Sequence, residues 1–167
     1  MLEIALDSDE EWDSSSDWLP LIRNAAEAAL AESDFPDLAR SDRAVEISVS
    51  LTGDEQVRAL NAKWRGKDNP TNVLSFPMAE ERDLVAANLA DAELLLGDIV
   101  VARGVCEAEA EEKGISVEHH ALHLVVHGTL HLLGYDHGTD RDAYDMEARE
   151  VRALARLGIR NPYEVAA

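Results

Sequence analysis

The sequence predicts an α+β fold, a small mixed β-sheet packed against helices in a single compact domain. Three observations carry this. Strand-like and helix-like periodicities interleave along the chain instead of segregating into halves. No internal repeat divides it, and no low-complexity tract occurs beyond one serine patch. Its 167 residues, 46% of them hydrophobic, suit one core, because single cores usually serve about 100–200 residues.

Each element follows from local pattern. Residues 9–16 (DEEWDSSS) are acidic and aperiodic, which predicts a loop. Trp18, Leu21, Ile22, Ala25 and Ala29 fall at helical spacing, with Pro20 early, where a helix tolerates it. Val45, Ile47, Val49 and Leu51 alternate with Glu46, Ser48 and Ser50, the pattern of a half-buried strand. Thr52, followed three residues later by Glu55, reads as a capping box opening a helix through Val57, Leu60 and Trp64. Residues 72–76 (NVLSF) read as a strand stopped by Pro77. Residues 78–96 are acidic and alanine-rich, predicting a loop or irregular hairpin before a short strand, 97–102 (GDIVVA). A helix-prone stretch from Val105 to Lys113 ends at Gly114. Ser116 then caps a helix running to Leu133, broken by Gly134. Asp140 to Leu157 forms an amphipathic helix carrying Tyr144, Val151 and Leu154, closed by Gly158 and Pro162.

Composition excludes several classes. Thirty-four acids against fifteen Lys and Arg give a net charge of −19 and a pI near 4.5. The apolar share is that of a folded protein, not a disordered acidic chain. No apolar run approaches the roughly 20 residues of a membrane span, and the N-terminus lacks the basic and apolar regions of a signal peptide. The single cysteine, Cys106, excludes an internal disulfide and fits a reducing cytosol, so a cytoplasmic location is expected. Cys106 itself reads as a small buried hydrophobe. Bulk attraction to nucleic acid is excluded by charge, and neither DNA nor a membrane is expected as a partner.

The charge is uneven. Residues 1–42 hold twelve acids and only Arg23 and Arg40, whereas Arg58, Lys63, Arg65 and Lys67 place four cations within ten residues. The one domain, 1–167, thus divides into an acidic N-terminal region, 1–42, and a motif-bearing core, 43–163. The acidic stretch reads as solvated surface, and the basic cluster as a functional candidate.

All six histidines lie between residues 119 and 137. On a helix, His127 and His131 share a face with about 6 Å of rise between them. Two imidazoles so placed reach one ion with bonds of about 2.0–2.1 Å. His123 shares that face but lies about 12 Å of rise from His131, too far for all three to meet one metal. It is read as a support behind the ligands or a buried residue. Gly134 can take positive φ and fold the chain back, so that the Tyr135-Asp136 turn delivers His137. His-x3-His-x2-Gly-x2-His therefore holds three ligands in eleven residues. One zinc ion per chain is expected, with a fourth position open to water as in catalytic sites. Such an ion lowers the pKa of its water to about 7 and polarises a phosphoryl or carbonyl oxygen. Three imidazoles also suit copper, nickel or iron. His119 and His120, near the helix start, read as surface or packing residues. In the protease motif His-Glu-x-x-His a general base directly follows the first histidine. Here that position is Gly128, which weakens a peptidase reading.

HGTLHLLGYDH (127–137) resembles the signature of the YbeY family, bacterial zinc-dependent endoribonucleases of ribosomal RNA maturation. WRGKDNPTNVLSFP (64–77) resembles that family's second block, LGDI (96–99) its third, and Met146-Glu147 with Asn161-Pro162-Tyr163 its C-terminal end. The blocks run in the family's order from residue 45 to 163, and the first 40 residues carry no motif of it. The resemblance implies a compact α+β fold with a zincin-like metal helix, zinc on His127, His131 and His137, and an essential arginine at Arg65. It implies single-stranded RNA as substrate, with roles in 16S rRNA 3′-end maturation and ribosome quality control, in the company of the ribosome or small-subunit proteins.

Chemistry gives these residues roles. Metal-bound water and Arg65 would act together on the scissile phosphodiester, the guanidinium gripping two phosphate oxygens as charge develops. Lys63 and Lys67 would position the RNA backbone without reading sequence, or stand as solvated surface cations. Asn72 and Ser75 line a cleft or pack a strand. Asp136 orients an imidazole, acts as a base or simply forms the turn. Two other readings stand beside the nuclease: a non-catalytic, zinc-containing ribosome-assembly factor, and a zincin-like metalloprotease. An acidic body with a locally basic cleft would bind RNA weakly and depend on a ribosomal partner to present it.

Overall fold

Four strands form one mixed sheet in the order β1-β2-β4-β3. In this computed structural model, residues 1–13, 16–40, 42–85 and 93–164 are described. Strands β1 (Leu2–Ser8), β2 (Val45–Thr52) and β4 (Leu94–Ala102) run parallel, and β3 (Val73–Pro77) pairs antiparallel with β4 at the edge. The helices are α1 (Glu10–Asp13), α2 (Trp18–Ala31), α3 (Asp54–Arg65), α4 (Glu81–Val85), α5 (Arg103–Lys113), α6 (Val117–Leu132) and α7 (Asp140–Arg156), with a 3₁₀ turn at Pro36–Ala39. The α+β class with a small mixed sheet is as expected.

The main core lies on one face of the sheet. Val45, Ile47, Val49 and Leu51 of β2, with Leu96, Ile99 and Val101 of β4, pack against α2 and α6. The alternation read from β2 is thus a one-sided burial. Helix α6 is buried around most of its circumference, between α2, α7, β3 and β4, which is why its sequence shows no clean polar face. On the opposite face, Val57 and Leu60 of α3 meet Leu74, Phe76, Val100 and Ala102 in a smaller cluster.

Register depends on one glycine. Leu96 is inserted between the pairs Glu46–Leu95 and Ile47–Gly97, a bulge in β4. Gly97 adopts φ 143°, and a Cβ there would fall 2.3 Å from the Phe76 carbonyl oxygen and 2.8 Å from Leu132 Cδ2. Only glycine lets β3 and α6 approach this closely.

Several expectations are corrected. The sequence reading assigns nothing to residues 2–8, yet β1 pairs along its whole length with β2. The expected 9–16 loop contains α1, whose Trp12 is fully buried (0% exposed) and donates its indole N–H to the Thr52 carbonyl at 3.0 Å. Ser14 and Ser15 lie outside the described residues. The capping box does not form: Gly53 is the N-cap of α3, and Thr52 Oγ1 bonds Asp9 Oδ2 and Gln56 Oε1. In the 78–96 segment, α4 is helical and β4 begins at Leu94; residues 86–92 are outside the described set. Tyr144 is 79% exposed, and α7 buries Met146, Glu150, Ala153 and Leu154 instead.

Candidate active site

The site begins with how α6 ends. Ser116 Oγ accepts from the His119 amide at 3.0 Å, fixing the helix start. At the other end Gly134 takes φ 97°, and the Tyr135 amide donates back to the Leu130 carbonyl at 3.1 Å. This turn brings His137 back over the last two turns of α6. The rings of His127 and His131 have centroids 4.5 Å apart, those of His131 and His137 5.0 Å, and those of His127 and His137 5.5 Å. One ligand atom from each lies within 4.8 Å of the others, so the group could hold a metal ion.

Hydrogen bonds behind the rings suit that use. His131 Nδ1 donates to the Tyr135 carbonyl at 2.8 Å, and His127 Nδ1 donates to Glu150 Oε1. With Nδ1 engaged in each ring, Nε2 is the atom that faces the partner histidine, and the two Nε2 atoms lie 2.9 Å apart. Two ring nitrogens converging this closely, each with its other nitrogen held from behind, suit a shared cation. Burial, together with the neighbouring His127 and His137 rings, pushes the His131 pKa down to about 4, which keeps it neutral at pH 7.

Glu150 is a residue the sequence reading missed. It is fully buried (0% exposed), yet accepts from His127 and from the Tyr163 hydroxyl, with His123 Nε2 at 3.6 Å. Burial alone would raise its pKa, but hydrogen bonds from His123, His127 and Tyr163 hold it at about 2. Burial and the Glu150 carboxylate keep the Tyr163 phenol protonated far above its usual range, so it is a donor here. A signal existed: Glu150 sits four residues from both Met146 and Leu154, a carboxylate on the apolar face of α7. The turn before His137 is pinned from the same helix. The Arg149 guanidinium stacks on the Tyr135 ring at 4.6 Å, and the Asp34 amide donates to the Tyr135 hydroxyl at 2.9 Å.

The three histidines and Arg65, at the end of α3, line one cleft of about 530 Å³. Gly66 (φ 70°) terminates α3, and Asn61 Nδ2 donates to the Asn69 carbonyl at 2.8 Å, holding the following loop. Asn72 lines the cleft, but its Nδ2 already donates to Glu109 Oε1 at 3.0 Å and its Oδ1 accepts from the Val73 amide at 2.7 Å. Ser75 lines the cleft as well. Asp136 also lines it; its Oδ1 accepts from the His137 amide at 2.8 Å and lies 3.9 Å from His137 Nδ1. Two expected residues stand apart. Lys67 is exposed and outside the cleft lining, and His123 lies behind it against Glu150. Of the basic cluster, Arg58 is engaged by Glu55 and Asp68, whereas Arg65 and Lys67 make no ion pair among the described residues. His119 is exposed, and buried His120 donates to Glu109 at 2.8 Å.

Gly128 faces the sheet, where a Cβ would come within 3.0 Å of Ile99 Cγ2. The position that holds a peptidase's base is therefore occupied by close helix–sheet packing.

The family model described as Endoribonuclease YbeY matches residues 5–158. The chain is similar to the Endoribonuclease YbeY of Rhizorhabdus wittichii, 48% identical over 167 residues covering 99% of this chain and 98% of that protein. It is similar to that of Sphingopyxis alaskensis, 50% identical over 164 residues covering 98% of each. In fold it resembles the solution structure of a Thermotoga maritima protein, with a TM-score of 0.54 and 24% identity over 95% of this chain and 92% of that one. With a match that runs from β1 past the end of α7, the chain belongs to the YbeY family of endoribonucleases.

Proposed function

We propose that this endoribonuclease cuts single-stranded RNA at a metal centre held by His127, His131 and His137, with Arg65 gripping the scissile phosphodiester. The observation that supports this is that these four residues line one cleft, with the three histidines close enough to share an ion. A divalent ion bound there, zinc by its ligand chemistry and one per chain, supplies Lewis-acid polarisation and a nucleophile near neutral pH. The chain's own residues do the rest. Arg65, exposed and outside any described ion pair, is free to turn a bidentate fork onto the phosphate as charge accumulates. Ser75 can bond the sugar–phosphate chain, while Asn72, held by Glu109, shapes the wall. Asp136 fixes the His137 backbone and offers a carboxylate to take up a proton within the same cleft. Lys67 adds attraction from outside, and His123 supports the ligands through Glu150. A cleft of this size takes a splayed-out nucleotide, not a duplex.

The physiological substrate in this reading is the 3′ end of 16S rRNA, with a further role in ribosome quality control in the cytoplasm. A net charge of −19 opposes tight binding of naked RNA, so small-subunit proteins present the strand.

The test is to load the protein with zinc, quantify the bound metal, and assay single- and double-stranded RNA with wild type, His131→Ala and Arg65→Ala. Cleavage confined to single strands is expected. His131→Ala should lose metal and activity; Arg65→Ala should keep the metal and lose about 10²–10³ in rate. Intact single-stranded RNA with metal-loaded wild type, or wild-type rates from Arg65→Ala, would overturn the reading.

A further inference from the structure

A second concavity, of about 720 Å³, opens on the sheet face opposite α6. Helix α3 packs over β3 and β4 there, and the groove lies beside it over β1 and β2. Leu60 and Trp64 of α3 and Phe76 of β3 form its apolar wall, and the exposed face of β1, β2 and β4 forms its mainly apolar floor, in which Asp7 and Asp98 are the only carboxylates among the described residues.

Trp64 is unlike the other two tryptophans. Trp12 and Trp18 are buried, pack edge-to-face at 5.3 Å and donate their indole N–H groups to carbonyls at 3.0 and 2.8 Å. Trp64 is 63% exposed and makes no hydrogen bond from its indole among the described residues. The Lys63 ammonium sits 5.0 Å over its ring. A large aromatic left in water beside an open apolar wall is a surface built for a partner.

We propose that this groove takes a nucleobase of the RNA strand whose phosphate lies in the metal cleft, stacked on Trp64 and flanked by Leu60 and Phe76. The inference rests on the endoribonuclease reading and extends its substrate path. Continuity carries it. Trp64 and Arg65 are consecutive, one lining the groove and the other the cleft. Along β3, Phe76 lines the groove while Ser75 and Pro77 line the cleft. Because β3 is the sheet edge, a strand rounding it passes from one concavity into the other.

Charge separates backbone from base along that path. Lys63 and Arg65 mark where phosphates run, and neither is engaged in an ion pair among the described residues. Asp7 and Asp98 repel a phosphate but accept hydrogen bonds from the N–H groups of a base edge. A basic peptide would be drawn to the two carboxylates and repelled by the cations at the rim. Stacking on an aromatic accepts any base, which suits a path that grips without reading sequence.

The experiment uses zinc-loaded protein and a short 2′-O-methyl single-stranded oligoribonucleotide, read by tryptophan fluorescence and by binding affinity. RNA should quench wild-type emission, and the quench should vanish in Trp64→Phe while affinity stays within about threefold, because the ring still stacks. Trp64→Ala should bind about tenfold or more weakly, with unchanged thermal unfolding. Oligonucleotides made abasic at one position at a time should reveal one position at which wild type falls to the Trp64→Ala affinity and the variant loses nothing further. Equal affinity for wild type and Trp64→Ala, or abasic effects identical in the two, would overturn the proposal while leaving RNA binding intact. Quenching by an arginine-rich peptide but not by RNA would overturn it in favour of a protein-docking groove. Failure of wild type to bind any RNA would overturn both it and the nuclease reading.

Discussion

Glu150 on α7 accepts the Nδ1–H of His127 on α6, so a wholly buried carboxylate 23 residues away orients a candidate metal ligand. The same carboxylate takes the Tyr163 hydroxyl, tying the C-terminal turn to α6. Glu150→Ala should lower zinc affinity by about 10–100-fold, measured by competition with a chelating dye. Glu150→Gln, which keeps an acceptor, should lose less. Tyr163→Phe should cost about 1–3 kcal/mol of stability by chemical denaturation, since it strips a partner from a buried charge, and should move zinc affinity far less.

Gly97→Ala should be among the costliest small substitutions in the chain. The new methyl would meet the Phe76 carbonyl at 2.3 Å in a backbone conformation reserved for glycine. A loss of about 2–4 kcal/mol is expected from strain and overpacking together, read by urea denaturation at constant m-value.

Restoring a peptidase-like glutamate should not create a peptidase. Gly128 points at Ile99, so the side chain of Gly128→Glu enters the helix–sheet interface instead of the cleft. A large drop in thermal midpoint with no peptide hydrolysis is expected; chelator-sensitive cleavage of casein by this variant would contradict that placement.

Cys106 sets an alkaline signature. Burial, then the Glu109 charge, pushes its thiol up to about 12, so it stays neutral and unreactive toward thiol reagents at pH 8 until the protein unfolds. Its ordinary value is 9.0, so the unfolded chain releases the proton first, and stability falls as pH rises from there toward 12. At pH 10 wild type should have lost about 1–2 kcal/mol more than Cys106→Ala, by urea denaturation at matched pH.

What the sequence made legible was set by periodicity and spacing. The three histidines of His-x3-His-x2-Gly-x2-His are local, so helix geometry and one glycine sufficed to bring them together. The strand from Val45 and the helices around Ser116 and Asp140 carry strong patterns and caps. Strand β1 escaped because acidic residues and a following serine patch masked the Leu2, Ile4, Leu6 alternation. The Thr52 capping box failed because α3 begins one residue later, with Gly53 at the N-cap, while the Thr52 hydroxyl donates to Asp9, distant in sequence. Glu150 was hidden for a related reason: its partners lie on another helix and in the C-terminal turn, and pattern alone cannot say what a buried acid faces. Tyr144 shows the converse, an aromatic at helical spacing left in solvent.

The parallel strands also bear on the order in which the site matures. Pairing Leu2 with Val45, and Val45 with Leu94, closes long crossovers, whereas the three histidines span eleven residues of one helix and its turn. Closing such crossovers is slow and helical turns are fast. Helix α6 and its Gly134 turn can form locally, whereas the packing of α6 against β3 and β4, and the placing of Arg65 by α3, wait for the sheet. In the proposed reading the histidines and Arg65 line one cleft only once α3 has docked on β3 and β4, so cleavage would wait on the completed sheet.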